Sequence, residues 1–356
     1  MKKSLAIIMT AAMSMSLLFG CSGKTTATTK ETEKKSETAA ETVTEETTAA
    51  IEGSAVKTGL SIVTSLSGND ATAEEEGLAK ADIAVVAVTV NEDGVIESCV
   101  IDAVQAKMNF SATGEFLSAD TEFLSKNELG DEYGMRKASA IGKEWNEQAA
   151  AVAEYAEGKT VEEIKGIALT EEGAPADEDL AASATVHMNG FISGIEQAVN
   201  NAVDLGAVSG DELKLVTVTD TGKSKSATAE EDGVAQAYSF IGAITLNGDT
   251  ITSCNIDAVQ ANISFNAEGA ITSDMEAEVA TKNQLGDAYG MKKASGIGKE
   301  WNEQAAAFCE YVTGKTVEEV TGIALTEKGA PADADLAASV TVSVGDFLTL
   351  IEKAAQ

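Results

Sequence analysis

Lys126-Asn-Glu-Leu-Gly-Asp-Glu-Tyr-Gly-Met135 returns as Lys282-Asn-Gln-Leu-Gly-Asp-Ala-Tyr-Gly-Met291, and Ile141-Gly-Lys-Glu-Trp-Asn-Glu-Gln148 returns as Ile297-Gly-Lys-Glu-Trp-Asn-Glu-Gln304. From Lys126 to Val186 and from Lys282 to Val342, roughly four in five positions are identical, and the register extends both ways at a period of about 156 residues. Solenoid periods run only to about 50 residues, so this is the period of a whole domain. The expectation is two tandem copies of one domain, at 55–204 and 205–356, each long enough to bury a core of its own.

Moving outward from the repeated block, each copy opens with alternating apolar and polar residues, Gly59–Thr64 and Leu213–Val218, the pattern of a half-buried strand. The β-branched run Ile83–Val90 is followed by the turn Asn91-Glu92-Asp93-Gly94 and by Val95–Ile101. The second copy has Ser239–Leu246, Asn247-Gly248-Asp249 and Thr250–Ile256. Both read as hairpins, with Asn, Asp and Gly supplying the turn, and a further short strand is expected at Gln105–Ser111. After the strands come helices. Ile141, Trp145, Ala149, Val152 and Tyr155 form one apolar stripe over Lys143–Glu157. Thr160 with Glu163, and Thr316 with Glu319, are capping boxes. Near Asn189 a last helix begins with Phe191, Ile195, Val199 and Ala202 on one face, mirrored by Phe347, Leu350 and Ala354. Strands first and helices later imply an α+β domain, helices packed on an antiparallel sheet.

The chain begins Met1-Lys2-Lys3, continues as an apolar run from Leu5 to Phe19, and reaches Leu18-Phe19-Gly20-Cys21. This is the pattern of a bacterial lipoprotein signal peptide over residues 1–20, with Cys21 as the lipidated residue and a membrane anchor on the extracytoplasmic side. Residues 21–54 are rich in Thr, Glu, Lys and Ala and poor in apolar side chains, which reads as a disordered tether. The formal net charge of −33 argues against nucleic acid, whose phosphates would be repelled. Cys99, Cys254 and Cys309 are too few and too scattered for a disulfide framework or a metal site and read as small buried thiols.

Catalytic constellations are missing. His187, the only histidine, has Ser343 as its counterpart, so no His-based triad or proton shuttle is common to both copies. The shared carboxylates Asp131, Glu144, Glu147, Glu162 and Glu163 read as a solvated acidic face. The chain is expected to be an electron-transfer or binding protein rather than a stand-alone catalyst.

The end of each copy carries a sharper signal: Asp179-Leu-Ala-Ala-Ser183-Ala-Thr185-Val186 and Asp335-Leu-Ala-Ala-Ser339-Val-Thr341-Val342, each ahead of a helix. Here the chain resembles the FMN-binding domain family, found in flavin-carrying subunits of Rnf and sodium-pumping redox complexes and in surface lipoproteins of extracellular electron transfer. That resemblance implies FMN as cofactor, joined in the family through its phosphate to a motif threonine, and a redox partner at the cell surface. Carried over, the threonines are Thr185 and Thr341, the motif acids Asp179 and Asp335, and Ser183 and Ser339 stand where the family has glycine. Ala182 and Ala338 stand where it has Ser or Thr. With these departures, covalent flavin, non-covalent flavin, and a surface binding or structural lipoprotein without flavin remain the alternatives. Tyr133 and Tyr289, in the most repeated loop, are candidate ligand contacts.

Overall fold

A computed structural model describes residues 53–119 and 121–356. The signal peptide at 1–20, Cys21 and almost all of the 21–54 tether lie outside the described residues. Within them the first half runs β1 (Ala55–Asn69), β2 (Gly77–Val90) and β3 (Ile96–Phe110), then α1 (Lys126–Leu129), a 3-10 turn at Gly130–Tyr133, α2 (Trp145–Ala156), α3 (Val161–Lys165), α4 (Glu178–Ala181) and α5 (Met188–Asn200). After β4 (Val203–Val208) the order recurs: β5 (Glu212–Asp220), β6 (Gly233–Asn247), β7 (Thr250–Phe265), α6 (Lys282–Leu285), a 3-10 turn at Gly286–Tyr289, α7 (Trp301–Val312), α8 (Val317–Thr321), α9 (Ala334–Ala337) and α10 (Gly345–Ala354). The fold is α+β, with all described strand pairings antiparallel: one sheet ordered β3-β2-β1-β4 and one ordered β5-β6-β7.

The strands outrun their sequence signals because they are buried on two faces. Along β2, side chains alternate in direction. Val86, Val88 and Val90 meet the helices α2 and α5 of their own half. Ala79, Ala81, Ile83, Val85 and Ala87 face the other half and join Leu213, Ala235, Ala237, Ile241 and Ala243. The period-2 pattern therefore has apolar residues at almost every position, and the expected pieces Val95–Ile101 and Gln105–Ser111 fuse into the single strand β3. Each half does bury a core of its own between its sheet and its helices, and the two halves share further apolar contacts. Two of the four apolar clusters draw on both halves, so the layers run helices, sheet, sheet, helices.

The seam between the sheets is nearly self-symmetric. Phe110 and Phe265 occupy equivalent strand ends and stack with centroids 4.4 Å apart at 10°. The Ala71 N–H donates to the Gly269 carbonyl at 2.8 Å, and the equivalent Ala227 N–H donates to the Gly114 carbonyl at 2.7 Å. Both glycines have positive φ, +72° and +73°, and a Cβ on either would fall 2.7 or 2.9 Å from the methyl of Ala227 or Ala71, so glycine is required twice over. Strand β4, which straddles the expected boundary at 204/205, adds to the edge of β1 and so fastens the connection to the first sheet.

Because each phenyl ring fills its partner's space, Phe110→Ala is expected to cost about 3–5 kcal/mol in urea unfolding. Phe110→Ala combined with Phe265→Ala should depart from additivity by about 1 kcal/mol. Strict additivity would show that the stack contributes nothing of its own.

Candidate ligand cleft

On its outer face the first sheet presents Asp82, Ala84 and Val86 to helix α5, and between them lies a cleft of about 360 Å³. Volumes of small-molecule sites begin at about 300 Å³. Its lining includes Trp145 at the start of α2 and Phe191 in the first turn of α5, which pack on each other with ring centroids 5.9 Å apart at 44°, Trp145 being 8% exposed. Lys126 supplies an ammonium, His187 an imidazole and Asp102 a carboxylate.

Local chemistry positions each of these groups. Ser125 caps α1 by accepting from the Glu128 N–H, while the Glu128 carboxylate accepts from the Ser125 N–H at 2.8 Å. The Asp102 carboxylate accepts from the Asn127 N–H at 3.0 Å and the Ala103 N–H at 2.7 Å, tying α1 to β3 and setting Lys126 beside the sheet. The Lys126 Nζ lies 4.6 Å from the Trp145 ring and 4.7 Å from the Tyr133 ring, and no carboxylate pairs with it among the described residues. Asp82 is already engaged, with Lys80 at 2.7 Å and the Gln105 amide at 2.8 Å. Glu144 accepts from the N–H groups of Met135 and Arg136 at 2.7 and 2.8 Å and is only 2% exposed. Its reading as part of a solvated acidic face is thus corrected: it is a buried acceptor for a loop whose backbone donors would otherwise lack partners.

None of the sequence-expected motif residues lines this cleft; in the first half the motif ends at Thr185, two residues before the lining residue His187. Asp179 and Asp335 are exposed in the short helices α4 and α9, where their N–H groups donate to the capping Asp177 and Asp333 at 3.1 Å. Ser183 and Ser339 are half-buried, with N–H groups bonded to Leu180 and Leu336. Thr185 stands three residues before α5, exposed, and donates both its N–H (2.8 Å) and its hydroxyl (3.2 Å) to the buried Gln148. Thr341 does the same with Gln304 at 2.8 and 3.1 Å. The motif is thereby tied to the Trp helix, since Gln148 follows Trp145 by one turn. Tyr133 reaches the cleft only through Lys126, and Tyr289 likewise stands over Lys282. Helix α5 begins at Met188 without a side-chain cap; the Met188 N–H donates to the Gly173 carbonyl at 2.8 Å, which leaves the N–H groups of Asn189 and Gly190 as the donors of its first turn.

The equivalent region of the second half is built differently. Tyr238 and Phe240 replace Asp82 and Ala84, and Asp346 and Leu350 replace Gly190 and Gly194. Lys282 is 3% exposed, with its Nζ 4.5 Å from the ring of Tyr238, 4.7 Å from Trp301 and 4.8 Å from Tyr289. It also donates to the Tyr238 hydroxyl. Burial lowers its pKa to about 8. Phe240 packs edge-on against Phe347, centroids 6.0 Å apart. Gly194 is compensated rather than open: a Cβ there would lie 2.8 Å from Val86, whose counterpart is Gly242, so bulk has moved from helix to strand. Phe240 and Tyr238 have no such compensation, and their absence leaves the cleft.

Sequence reasoning passed over Lys126, Asp82, Ala84 and Asp102. The signal was available as a contrast between the two halves at positions two residues apart on a strand, Asp82 and Ala84 against Tyr238 and Phe240. The buried cysteines are as expected: Cys99, Cys254 and Cys309 are all buried and free. A larger furrow of about 630 Å³ between β4, β7 and α7 is lined by Cys254, Asn302 and Cys309. Its counterpart beside Cys99 and Asn146 is about 340 Å³. These furrows lack the aromatic pair and the ammonium that converge in the cleft.

No family model matches the chain, and no solved structure matches it. A stretch of 40 residues, 11% of the chain, is 58% identical to a chlorophenol reductase of Desulfitobacterium hafniense. That stretch spans 12% of the reductase's length.

Burial raises the pKa of Asp102 from 3.8 to about 6, against opposing hydrogen bonds from Ser125, Asn127 and Ala103, and Asp257 is raised to about 6 in the same way. A raised folded-state value favours the neutral acid, so this stabilisation is complete below about pH 4 and is lost as pH rises through 6. The melting temperature of Asp102→Asn minus that of the parent is therefore expected to grow between pH 4 and pH 7. A difference that stays flat with pH would contradict the assignment.

Proposed function

We propose that the chain is a lipid-anchored, extracytoplasmic protein of two tandem FMN-binding-like domains, anchored through Cys21, that holds a flavin and passes electrons between partners at the cell surface. The observation that carries the reading is the cleft between the first sheet and α5, where an aromatic pair, an ammonium without a carboxylate partner and a helix start without a side-chain cap converge. Each group suits one part of such a ligand. The packed pair Trp145 and Phe191 offers apolar surface to a ring system. Lys126 offers positive charge to a carbonyl or anionic edge. The N–H groups of Asn189 and Gly190 at the start of α5 favour a phosphate. When bound, the flavin supplies the electron-transfer chemistry, and these residues supply binding, orientation and charge.

The flavin is proposed to be held non-covalently. In both halves the motif threonine already donates its hydroxyl to a buried glutamine. Ala182-Ser183 and Ala338-Ser339 also depart from the pattern on which covalent attachment rests.

The test is direct. Mature ectodomain mixed with FMN should quench the ligand's fluorescence and keep its colour through gel filtration, while denatured protein has an unmodified intact mass. Thr185→Ala with Thr341→Ala should retain the bound flavin. Protein that neither binds FMN nor carries a flavin adduct would defeat the proposal, and an adduct at either threonine peptide would defeat its non-covalent form.

A further inference from the structure

The second half displays what the first half lacks. At Lys282, the Tyr238 side chain brings a six-membered ring into the cage formed with Trp301 and Tyr289, and its oxygen accepts a hydrogen bond from the ammonium. At Lys126 the same surroundings are kept: Trp145, Tyr133 and the Asp102 brace all have exact counterparts in Trp301, Tyr289 and Asp257. The ring and its oxygen are missing, because position 82 is aspartate and position 84 is alanine. Asp82 turns its carboxylate to Lys80 and Gln105, so it does not take the place of the phenol. A site that keeps the ammonium and two of its rings but lacks the phenol and the phenyl that fill it in the other half specifies an aromatic, oxygen-bearing occupant by subtraction.

We infer that the protein binds one planar aromatic ligand per chain, in the first half only, with an oxygen at the ring edge accepting from Lys126, while the second half is closed by its own Tyr238 and Phe240. This deepens the flavin reading and rests on it: a flavin ring bears edge carbonyls, and the inference decides how many are held and where. The closed half then acts as the packing partner that supports the open one.

The two halves also make the test safe for folding. Asp82→Tyr with Ala84→Phe copies a packing that the second half already tolerates beside an equivalent tryptophan and phenylalanine. Gly194→Leu is avoided, since a Cβ there meets Val86 at 2.8 Å. Full-length ectodomain is titrated with FMN and, separately, with lumiflavin, which has the ring without the phosphate. The expected result is one equivalent of each. The Asp82→Tyr, Ala84→Phe variant should bind both about a hundredfold more weakly or not at all, with a melting temperature no lower than the parent's. Lys126→Met should weaken lumiflavin as well as FMN. Tyr238→Asp with Phe240→Ala should keep the first equivalent and add a second. Two equivalents in the parent, or undiminished binding by the filled first half, would overturn the one-site inference and leave the flavin reading standing. No binding of either probe by the parent would overturn both.

Discussion

Two sheets pressed together along alanines are the constraint on which the rest of this protein depends. Ala79, Ala81 and Ala106 meet Ala235, Ala237 and Ala261, and side chains this small let the sheets approach closely while stacked Phe110 and Phe265 close one end. Because the inner faces are committed to each other, each sheet can receive helices only on its outer face. That is why the Trp helices, the motif threonines and the last helix of each half all lie outward. It is also why the strands are long: a strand with apolar contacts on both faces has no position at which burial stops favouring extension.

The outer faces are where the halves differ, and the difference is electrostatic as well as steric. Lys282 is enclosed by rings and loses solvation, which pulls its pKa to about 8. A lysine value depressed on folding opposes folding most where the side chain must be charged, and the penalty fades as pH rises above 8. The rings offset part of it by cation–π attraction and Tyr238 by its hydroxyl. Lys126 keeps two of those rings and is only half-buried. The same residue is structural in one setting and available in the other.

Much of the fold could be read in the chain. The turn at Asn91–Gly94, the apolar stripe through Trp145 and Val152, and the capping boxes at Thr160 and Thr316 are local signals, and each stands where its residues place it. The seam between the sheets was not legible, because an alanine buried against another sheet looks the same in sequence as one facing solvent. The motif residues were correctly placed before a helix, but the hydrogen bonds from Thr185 to Gln148 span 37 positions and leave no trace in local spacing. Lys126 was hidden by its type, since in so charged a chain one lysine attracts no notice until its neighbours are known to be rings. The cleft depended on absences, Ala84 and Asp82 where larger residues fit, and absences register only against a second copy.

The reciprocal bonds from Ala71 to Gly269 and from Ala227 to Gly114 are the kind that two identical subunits make across a two-fold axis. In a dimer of identical chains every substitution appears on both sides, so a residue that fills one cleft fills both, and binding and packing must be satisfied by one compromise. Joining the halves through β4 removes that bond of identity. One side can then fill the space beneath its last helix with Tyr238 and Phe240 while the other keeps its opening, an asymmetry that a symmetric pair could never reach.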